Sequence, residues 1–242
     1  MFSFARRGLR VLMYHRTSVA MGDGLTVTVA QLEQQITWLR AEGCAFVSLA
    51  DVMRSTDGGA PLPVRPVLVT FDDAYVDTLE LALPVLRRFE VRAVVFVPTA
   101  FVGQESSWDR DARPLMNAEQ LRAVVAEGWE VALHSHRHRN FADLDVAQIA
   151  DDVGDNFAAF RALGLEPVPA LAYPFGGRPR GEPTRAAMRA TLRNAGVRLA
   201  FRIGNRVNPL PLRDGFDVNR IGPRGDESFG AFQRKLLWGR LH

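Results

Sequence analysis

Short apolar runs alternate with longer amphipathic segments along the chain, and this alternation constrains the fold more than any other feature. The runs have the composition of buried strands, and they are Arg10–Tyr14, Ala45–Leu49, Val67–Thr70, Ala93–Pro98, Glu130–Leu133, Ala170–Tyr173, Ala200–Arg202 and Asp217–Ile221. The segments between them have helical periodicity, and they are Val29–Glu42, Thr78–Phe89, Asn117–Glu127, Val146–Leu163 and Pro183–Ala195. Asn117 and Asp145 are the predicted N-terminal caps of the third and fourth helices. Such alternation predicts parallel βα units in an α/β fold.

Length and composition are those of a single domain. The chain has 242 residues, of which 47% are hydrophobic, enough to bury one sizeable core, and α/β barrels of this size are commonly one domain. The segment Ser55–Pro66 is rich in Gly and Pro and is predicted to be a loop, not a linker. We therefore predict one domain over residues 1–242.

Two adjacent carboxylates, Asp72 and Asp73, stand just beyond the apolar run Val67–Thr70. In α/β proteins the carboxyl ends of strands are where active sites gather. Side chains alternate faces along a strand and diverge at its end, so neighbouring aspartates can take different roles, one on a metal and one beside it. We interpret the pair as functional, and not merely as a cap of the following helix.

Three of the five histidines, His134, His136 and His138, follow the apolar run Glu130–Leu133 directly. A histidine cluster beside a strand end favours a metal site. In an extended chain His134 and His136 would share a strand face, whereas a turn would bring His134 and His138 together. The spacing leaves two ligand sets open: Asp73 with His134 and His138, or Asp73 with His134 and His136.

These segments match the motifs of a known family. The motifs are Thr70-Phe71-Asp72-Asp73, His134-Ser135-x-x-His138 and Leu171-Ala172-Tyr173-Pro174-Phe175-Gly176. In order and spacing they resemble the polysaccharide deacetylases of carbohydrate esterase family four, which carry the nodulation-type homology domain. The resemblance runs from about Val11 to about Pro223. It implies an α/β fold made of a single distorted (β/α) barrel with about seven parallel strands.

The resemblance also implies roles for the motif residues. Asp73, His134 and His138 correspond to the ligands of one divalent ion, usually zinc, which selects the first of the two ligand sets. Two nitrogen ligands and one carboxylate suit Zn²⁺, and Co²⁺, Mn²⁺ or Fe²⁺ would also fit. Asp72 corresponds to the general base that deprotonates the attacking water. The backbone amide of Phe175 corresponds to the group that helps to stabilise the oxyanion.

The general acid departs from the usual family pattern. Most members have a histidine in a late Leu-x-His motif, but here only the terminal His242 follows His138. His15 follows the apolar run Arg10–Tyr14, and this segment resembles the biofilm-exopolysaccharide branch, in which the motifs are circularly rearranged and the acid histidine is near the N-terminus. We predict that His15 is the general acid, because a histidine at the end of the first barrel strand would face the same mouth as Asp72.

A second departure is Ala172, which stands where much of the family has an arginine that holds the base aspartate. Arg220, in the predicted late strand Asp217–Ile221, is the predicted substitute. Other arginines are less informative, since all but one of the thirty basic residues are Arg, the exception being Lys235. That bias is explained more simply by the base composition of the genome than by a role of the arginines in recognition.

Charge and hydropathy narrow the class of protein further. The net charge of +3 is compatible with an anionic partner such as a membrane surface or acidic glycan, and no lysine-rich basic run indicates nucleic acid. The first ten residues lack the apolar run of a signal peptide, and no stretch reaches the roughly 18 apolar residues of a membrane span. We expect a cytoplasmic enzyme, with peripheral association at the inner membrane face. The single cysteine, Cys44, is predicted to be a structural thiol in a buried strand and not a nucleophile.

The sequence therefore predicts a metal-dependent carbohydrate N-deacetylase. Its substrate would be the N-acetylhexosamine units of a bacterial exopolysaccharide, a capsule or a lipid-linked glycan precursor. Two alternatives stay open, namely hydrolysis of another amide, such as a small cyclic one, and a catalytically inactive glycan-binding barrel. The intact Asp72, Asp73, His134 and His138 argue against the inactive barrel, whereas Ala172 and the absent late histidine keep it open.

Overall fold

The structure is a computed structural model that describes residues 8–239, so the terminal His242 lies outside the described residues. Within that range the strands are β1 (Arg10–Tyr14), β2 (Arg16–Ser18), β3 (Thr26–Thr28), β4 (Ala45–Phe46), β5 (Pro66–Phe71), β6 (Val94–Val97), β7 (Glu130–Leu133), β8 (Val168–Ala172), β9 (Leu199–Ile203) and β10 (Val218–Arg220). The α-helices are α1 (Val29–Ala41), α2 (Leu49–Thr56), α3 (Leu83–Arg88), α4 (Ala118–Ala126), α5 (Val146–Ala162), α6 (Thr184–Asn194) and α7 (Phe229–Trp238). A π-helical turn, Thr78–Ala82, leads into α3.

The main sheet is parallel and forms a nearly closed barrel. Its strand order is β1-β5-β6-β7-β8-β9-β10, and β4 pairs with the amino-terminal part of β5. The two ends of the sheet meet where the Ile221 N–H donates to the Val11 carbonyl (2.7 Å) and the Met13 N–H donates to the Ile221 carbonyl (2.9 Å). The predicted α/β barrel with about seven parallel strands is confirmed.

Two apolar clusters fill the space on either side of the barrel wall. Successive residues of β5 alternate between them, since Leu68 belongs to one cluster and Val67 and Val69 belong to the other. The cluster of Leu68 includes Phe96 and Phe201 and fills the barrel, whereas the larger cluster lies under the helices. Because the barrel strands are parallel, their carboxyl ends all lie at one end of the barrel, which is here called the mouth.

Local signals predicted two helix starts correctly. Asn117 caps α4 and Asp145 caps α5, each in a capping box that is completed by a glutamine three residues later. In such a box the cap side chain accepts a backbone N–H that the helix leaves unpaired, and the glutamine side chain accepts the backbone N–H of the cap residue. The start of each helix is therefore set by residues only three positions apart.

The predicted strand Ala45–Leu49 is wrong beyond Phe46, because α2 begins at Leu49. Ser48 and Asp51 form a capping box, in which the Ser48 hydroxyl accepts the Asp51 N–H at 3.0 Å and the Asp51 carboxylate accepts the Ser48 N–H at 3.0 Å. The apolar run masked this helix start. The same helix extends to Thr56, so the first two residues of the predicted loop Ser55–Pro66 are helical.

Cys44 lies just before β4 and is half-buried, so its predicted place within a buried strand is also wrong. Its N–H donates to the Leu39 carbonyl at the end of α1, at 3.0 Å. Burial raises the pKa of the Cys44 thiol to about 11, since the nearby Arg10 and Arg65 only partly offset it. A thiol with so high a pKa is mostly protonated at neutral pH, which agrees with a structural role.

Candidate metal centre and active site

The two aspartates after β5 point in different directions because the chain turns sharply between them. The Asp72 N–H donates to the Tyr14 carbonyl at 2.9 Å and so continues the strand pairing. Asp73 and Ala74 then take left-handed backbone conformations, with φ of 71° and 59°, which residues with a Cβ adopt at a cost in free energy. Both carboxylates are buried, with 2% of Asp72 and 3% of Asp73 exposed.

Asp73 meets two histidines from the loop after β7. Its Oδ1 lies 3.2 Å from Nε2 of His134 and 3.1 Å from Nε2 of His138. His136, the alternative ligand from the sequence, is turned away, and its Nδ1 lies 2.9 Å from the Thr99 hydroxyl. Of the two ligand sets that the spacing left open, the structure brings together the one with His138.

The geometry of this group fits a divalent cation. Asp73 Oδ1 is buried without a hydrogen-bond partner, although two imidazole nitrogens lie beside it. His134 Nδ1 lies 2.8 Å from the Ala172 carbonyl, which can only accept, so in the neutral imidazole Nδ1 carries the proton and Nε2 has the free lone pair. Ligands with bonds of about 2.0–2.1 Å to a tetrahedral ion lie roughly 3.3 Å apart. The separations of the Asp73 oxygen from the two histidine nitrogens, 3.2 and 3.1 Å, are close to that value.

Charge within the cluster shifts the pKa of each member. Burial opposes ionisation of Asp73, but the adjacent His134 and His138 outweigh it and hold the pKa of this carboxyl well below its usual range. Burial likewise opposes the charged form of His134, and the two carboxylates outweigh it and raise the pKa of His134. For His138 burial dominates and lowers the pKa. The shifts of Asp73 and His138 favour the forms that bind a metal, an ionised carboxylate and a neutral imidazole, whereas the shift of His134 favours an imidazolium that must lose its Nε2 proton before that nitrogen can bind a metal.

Asp72 does not join the triad but is held by Arg220. The Arg220 guanidinium donates from Nη1 to Oδ1 at 2.5 Å and from Nη2 to Oδ2 at 2.6 Å, and its side chain is 0% exposed. Burial alone would raise the pKa of Asp72, but Arg220 and the neighbouring His134 and His15 outweigh it and lower the pKa. Asp72 is therefore ionised, with Oδ2 at 4.0 Å from the His134 Nε2.

His15 and Phe175 reach the same cavity from different strands. His15 follows β1, and its Nε2 lies 3.7 Å from Asp72 Oδ2. Phe175 follows β8 in a left-handed conformation (φ 57°), and its ring, 58% exposed, lies 4.7 Å from the His138 ring. Both residues line a cavity of about 160 Å³ together with Asp72 and Asp73. All seven predicted site residues thus lie at the mouth, and their roles stay predictions.

Other residues also shape the site, and of these Tyr75 and Asp152 were not predicted from the sequence as its parts. The indole of Trp108 packs on the His138 ring at 3.9 Å between centroids, and its N–H donates to the Tyr75 hydroxyl at 3.3 Å. That hydroxyl donates to Asp109 at 2.6 Å. The segment His134–His138 after β7 is here called the histidine loop. From its other side, Asp152 of α5 accepts two backbone N–H groups of this loop. The sequence signal that could have found Asp152 is its position on the apolar face of a predicted helix, where a carboxylate is rarely placed without a partner.

No helix in the described range 8–239 has the length and apolar character needed to cross a membrane.

A known protein family matches the middle of the chain. Residues 59–200 match the family described as polysaccharide deacetylase, which is more than half of the chain. A poly-beta-1,6-N-acetyl-D-glucosamine N-deacetylase of Staphylococcus aureus is 29% identical over 118 residues, which are 48% of this chain and 39% of that protein. The chain therefore aligns with well under two thirds of the staphylococcal protein.

Two solved structures share the fold over nearly the whole chain. IcaB from Ammonifex degensii is 26% identical, with a TM-score of 0.78 and coverage of 96% of this chain and 97% of that one. The Streptococcus pyogenes deacetylase PplD, solved in complex with acetate, is 19% identical, with a TM-score of 0.77 and coverage of 95% and 98%. At 19% identity the second comparison bears on the fold alone.

Proposed function

The chain belongs to the polysaccharide deacetylase family, and on that premise we propose that it uses a divalent metal ion to remove acetyl groups from the N-acetylhexosamine units of a bacterial glycan. The glycan would be an exopolysaccharide, a capsule or a lipid-linked precursor. The similarity to a poly-beta-1,6-N-acetyl-D-glucosamine deacetylase favours an exopolysaccharide of N-acetylglucosamine as the first substrate to test.

The observation that carries the proposal is the pairing of two arrangements at one mouth. Asp73, His134 and His138 bring three ligand atoms together without satisfying Asp73 Oδ1. Beside them Asp72 is kept ionised by a buried arginine and is left out of the triad. A metal site with an adjacent ionised carboxylate outside the ligand set combines a Lewis acid with a general base, which together can hydrolyse an unreactive amide.

When bound, the divalent ion supplies Lewis-acid chemistry, activating a water molecule as the nucleophile and polarising the acetyl carbonyl. In our proposal Asp72 accepts the proton of that water. Its Oδ2 faces both the His134 Nε2 (4.0 Å) and the His15 Nε2 (3.7 Å), so it borders the space between the ligand cluster and His15. Arg220 keeps this carboxylate in one orientation through two parallel hydrogen bonds.

The remaining two steps fall to His15 and Phe175. Cleavage of an amide requires a proton for the leaving amine, and His15, whose Nε2 lies 3.7 Å from Asp72 Oδ2, would donate it. The Phe175 N–H would donate to the acetyl oxygen as negative charge develops on it, an interaction typically worth about 2.7–4 kcal/mol. The left-handed backbone of Phe175 sets the direction of that N–H.

Acetate release provides the test. The protein, stripped of metal and reloaded with Zn²⁺ or Co²⁺, is expected to release acetate from β-1,6-linked N-acetylglucosamine oligomers. The matched control is Asp72→Asn, which keeps all three proposed ligands and is expected to bind metal while losing about 10²–10⁴-fold in kcat. Acetate release that needs no metal, or a metal-loaded Asp72→Asn protein with normal kcat, would contradict the mechanism. A loaded protein inactive on all N-acetylated glycans but active on small cyclic amides would favour the other hydrolase.

A further inference from the structure

Helix α5 buries two polar side chains one turn apart on the face that packs toward the barrel. Asp152 is 6% exposed and Asn156 is 0% exposed. A carboxylate is rarely buried in an apolar setting unless strong donors hold it. Here the donors are backbone amides of the histidine loop, so this helix bears directly on the geometry of the candidate metal centre.

Asp152 binds the loop midway between the two proposed histidine ligands. Its Oδ1 accepts the His136 N–H at 2.8 Å, and its Oδ2 accepts the Arg137 N–H at 3.2 Å. One carboxylate thereby fixes two consecutive peptide units. Because His134 precedes this pair and His138 follows it, the same contact sets the path that the chain takes from one ligand to the other.

That path is not one that the loop would adopt unaided. Ser135 and His138, on either side of the clamped peptides, have φ of 64° and 51°. Residues with a Cβ pay a free-energy penalty in this left-handed region, and the conformation persists only where the surroundings over-determine it. The buried carboxylate of Asp152 supplies such a constraint between the two strained positions.

A second set of contacts holds the same loop through His136. The Asn156 amide nitrogen faces the Val97 carbonyl at 3.4 Å and donates to the Thr99 hydroxyl at 2.6 Å. The Thr99 hydroxyl is thus left to donate its own proton to His136 Nδ1, 2.9 Å away. The Ala100 N–H donates to the His136 carbonyl at 2.9 Å. His136 is therefore held at its amide, its carbonyl and its ring, facing away from the triad.

We propose that Asp152 is a positioning residue for the metal centre: by clamping the His136 and Arg137 peptides it sets the distance between the imidazole nitrogens of His134 and His138. The inference rests on the proposed function only in that the triad must bind a divalent ion. When such a supporting contact is removed, metal affinity typically falls by about 10–100-fold.

The test is the metal affinity of Asp152→Asn against that of Asp151→Asn. Asp151 is the neighbouring residue on the same helix but is exposed, so its variant makes the same change of charge without touching the loop. Affinity for Zn²⁺ is measured by competition with a chelator, the ligand geometry by the absorption spectrum of the Co²⁺ form, and the fold by thermal unfolding of the metal-free protein. We expect Asp152→Asn to bind about 10–100-fold more weakly with an altered Co²⁺ spectrum, and Asp151→Asn to match the wild type.

Several results would overturn the inference. An unchanged affinity and spectrum in Asp152→Asn would do so, even if its melting temperature fell, because Asp152 would then serve the fold alone. An equal loss in Asp151→Asn would assign the effect to net charge. If Asp152→Asn does not fold, Thr99→Val and Thr99→Ser replace it. The valine removes the proton donor to His136 and is expected to weaken metal binding several-fold, the serine retains it, and equal affinities would reject the positioning network.

The same measurements separate this inference from the proposed function. A wild-type protein that binds Zn²⁺ but releases no acetate would remove the proposed function and leave the role of Asp152 standing. A wild-type protein that deacetylates its substrate while Asp152→Asn keeps full metal affinity would remove only the inference. A wild-type protein that binds no divalent ion would remove both.

Discussion

The two ends of the barrel bury charge in opposite ways. At the amino end Glu130, the first residue of β7, accepts the Leu49 and Ala50 N–H groups at 2.7 and 2.9 Å, and Arg10, the first residue of β1, donates from Nε to the Leu236 carbonyl at 2.7 Å. There the charged side chains satisfy backbone groups at helix ends. At the mouth the ionisable side chains face one another, and Asp73 Oδ1 and His138 Nδ1 are left without a hydrogen-bond partner.

The difference indicates what each end is for. Helix ends leave backbone N–H and C=O groups unpaired, and a charged side chain that pairs with them stabilises the fold. Buried ionisable groups that crowd one another stabilise little by themselves, and unpaired atoms among them cost free energy. We therefore expect substitutions at the mouth to change metal binding and turnover, and substitutions at the amino end to change stability alone.

The largest effect is expected at the ligand His138. His138→Ala removes one of three proposed ligands, so metal should be lost and activity should fall by more than the roughly 10–100-fold typical of a supporting residue. His136→Ala, two positions away, is the matched control and should still bind metal and keep most activity, with affinity reduced no more than the several-fold expected of Thr99→Val, since its ring contacts Thr99 and not the triad. Metal content by elemental analysis and acetate release are the measurements. A metal-free His136→Ala beside an unaffected His138→Ala would restore the other ligand set.

The next effect in size is expected at His15. His15→Ala should bind metal normally and lower kcat by about 10²–10³-fold, because a general acid contributes to the chemical step and not to metal binding. The value of kcat at saturating substrate and the metal content of wild type and variant give the comparison. Normal turnover in the variant would show that another group protonates the amine, and loss of metal would make His15 a packing residue or a ligand.

A smaller effect, on stability alone, is expected at Glu130. Glu130→Ala leaves two N–H groups of the first turn of α2 without their acceptor, and loss of such a cap costs about 1–2 kcal/mol of unfolding free energy. Glu127→Ala is the control. Its carboxylate lies 3.4 Å from the Arg87 guanidinium on the surface, and such exposed ion pairs contribute roughly 0.2–1 kcal/mol. Denaturant unfolding and acetate release measure the two properties. A loss of kcat in folded Glu130→Ala would contradict the expectation that residues at the amino end affect stability alone.

The smallest effect is expected at Cys44, near the amino end. With its pKa raised to about 11 by burial, only about one thiol in a thousand is ionised at pH 8. Alkylation of the native protein at that pH should therefore be much slower than alkylation of the denatured protein, and Cys44→Ala should keep full activity. Rapid modification of the native thiol with loss of acetate release would contradict a structural role.

Much of the fold was predictable because its signals are local. The strands Arg10–Tyr14 and Glu130–Leu133 match the predicted bounds, and the caps Asn117 and Asp145 mark the starts of α4 and α5. Strand burial and capping boxes depend on residues within a few positions of one another. The error at Ala45–Leu49 has the same origin, because two signals compete there. The capping box of Ser48 and Asp51 prevailed, with Glu130 from a distant strand adding two hydrogen bonds.

By itself the sequence determined which chemical groups would stand at the mouth, because parallel barrel strands end on one side and Asp72, Asp73 and His134 follow such strands. Only the tertiary structure decided how those groups pair. Arg220 reaches Asp72 across 148 positions of sequence, and the turn that brings His138, and not His136, to Asp73 is a strained left-handed path held by Asp152. Contacts between distant segments can hold a backbone in a conformation that its own residues disfavour, and no local pattern records them.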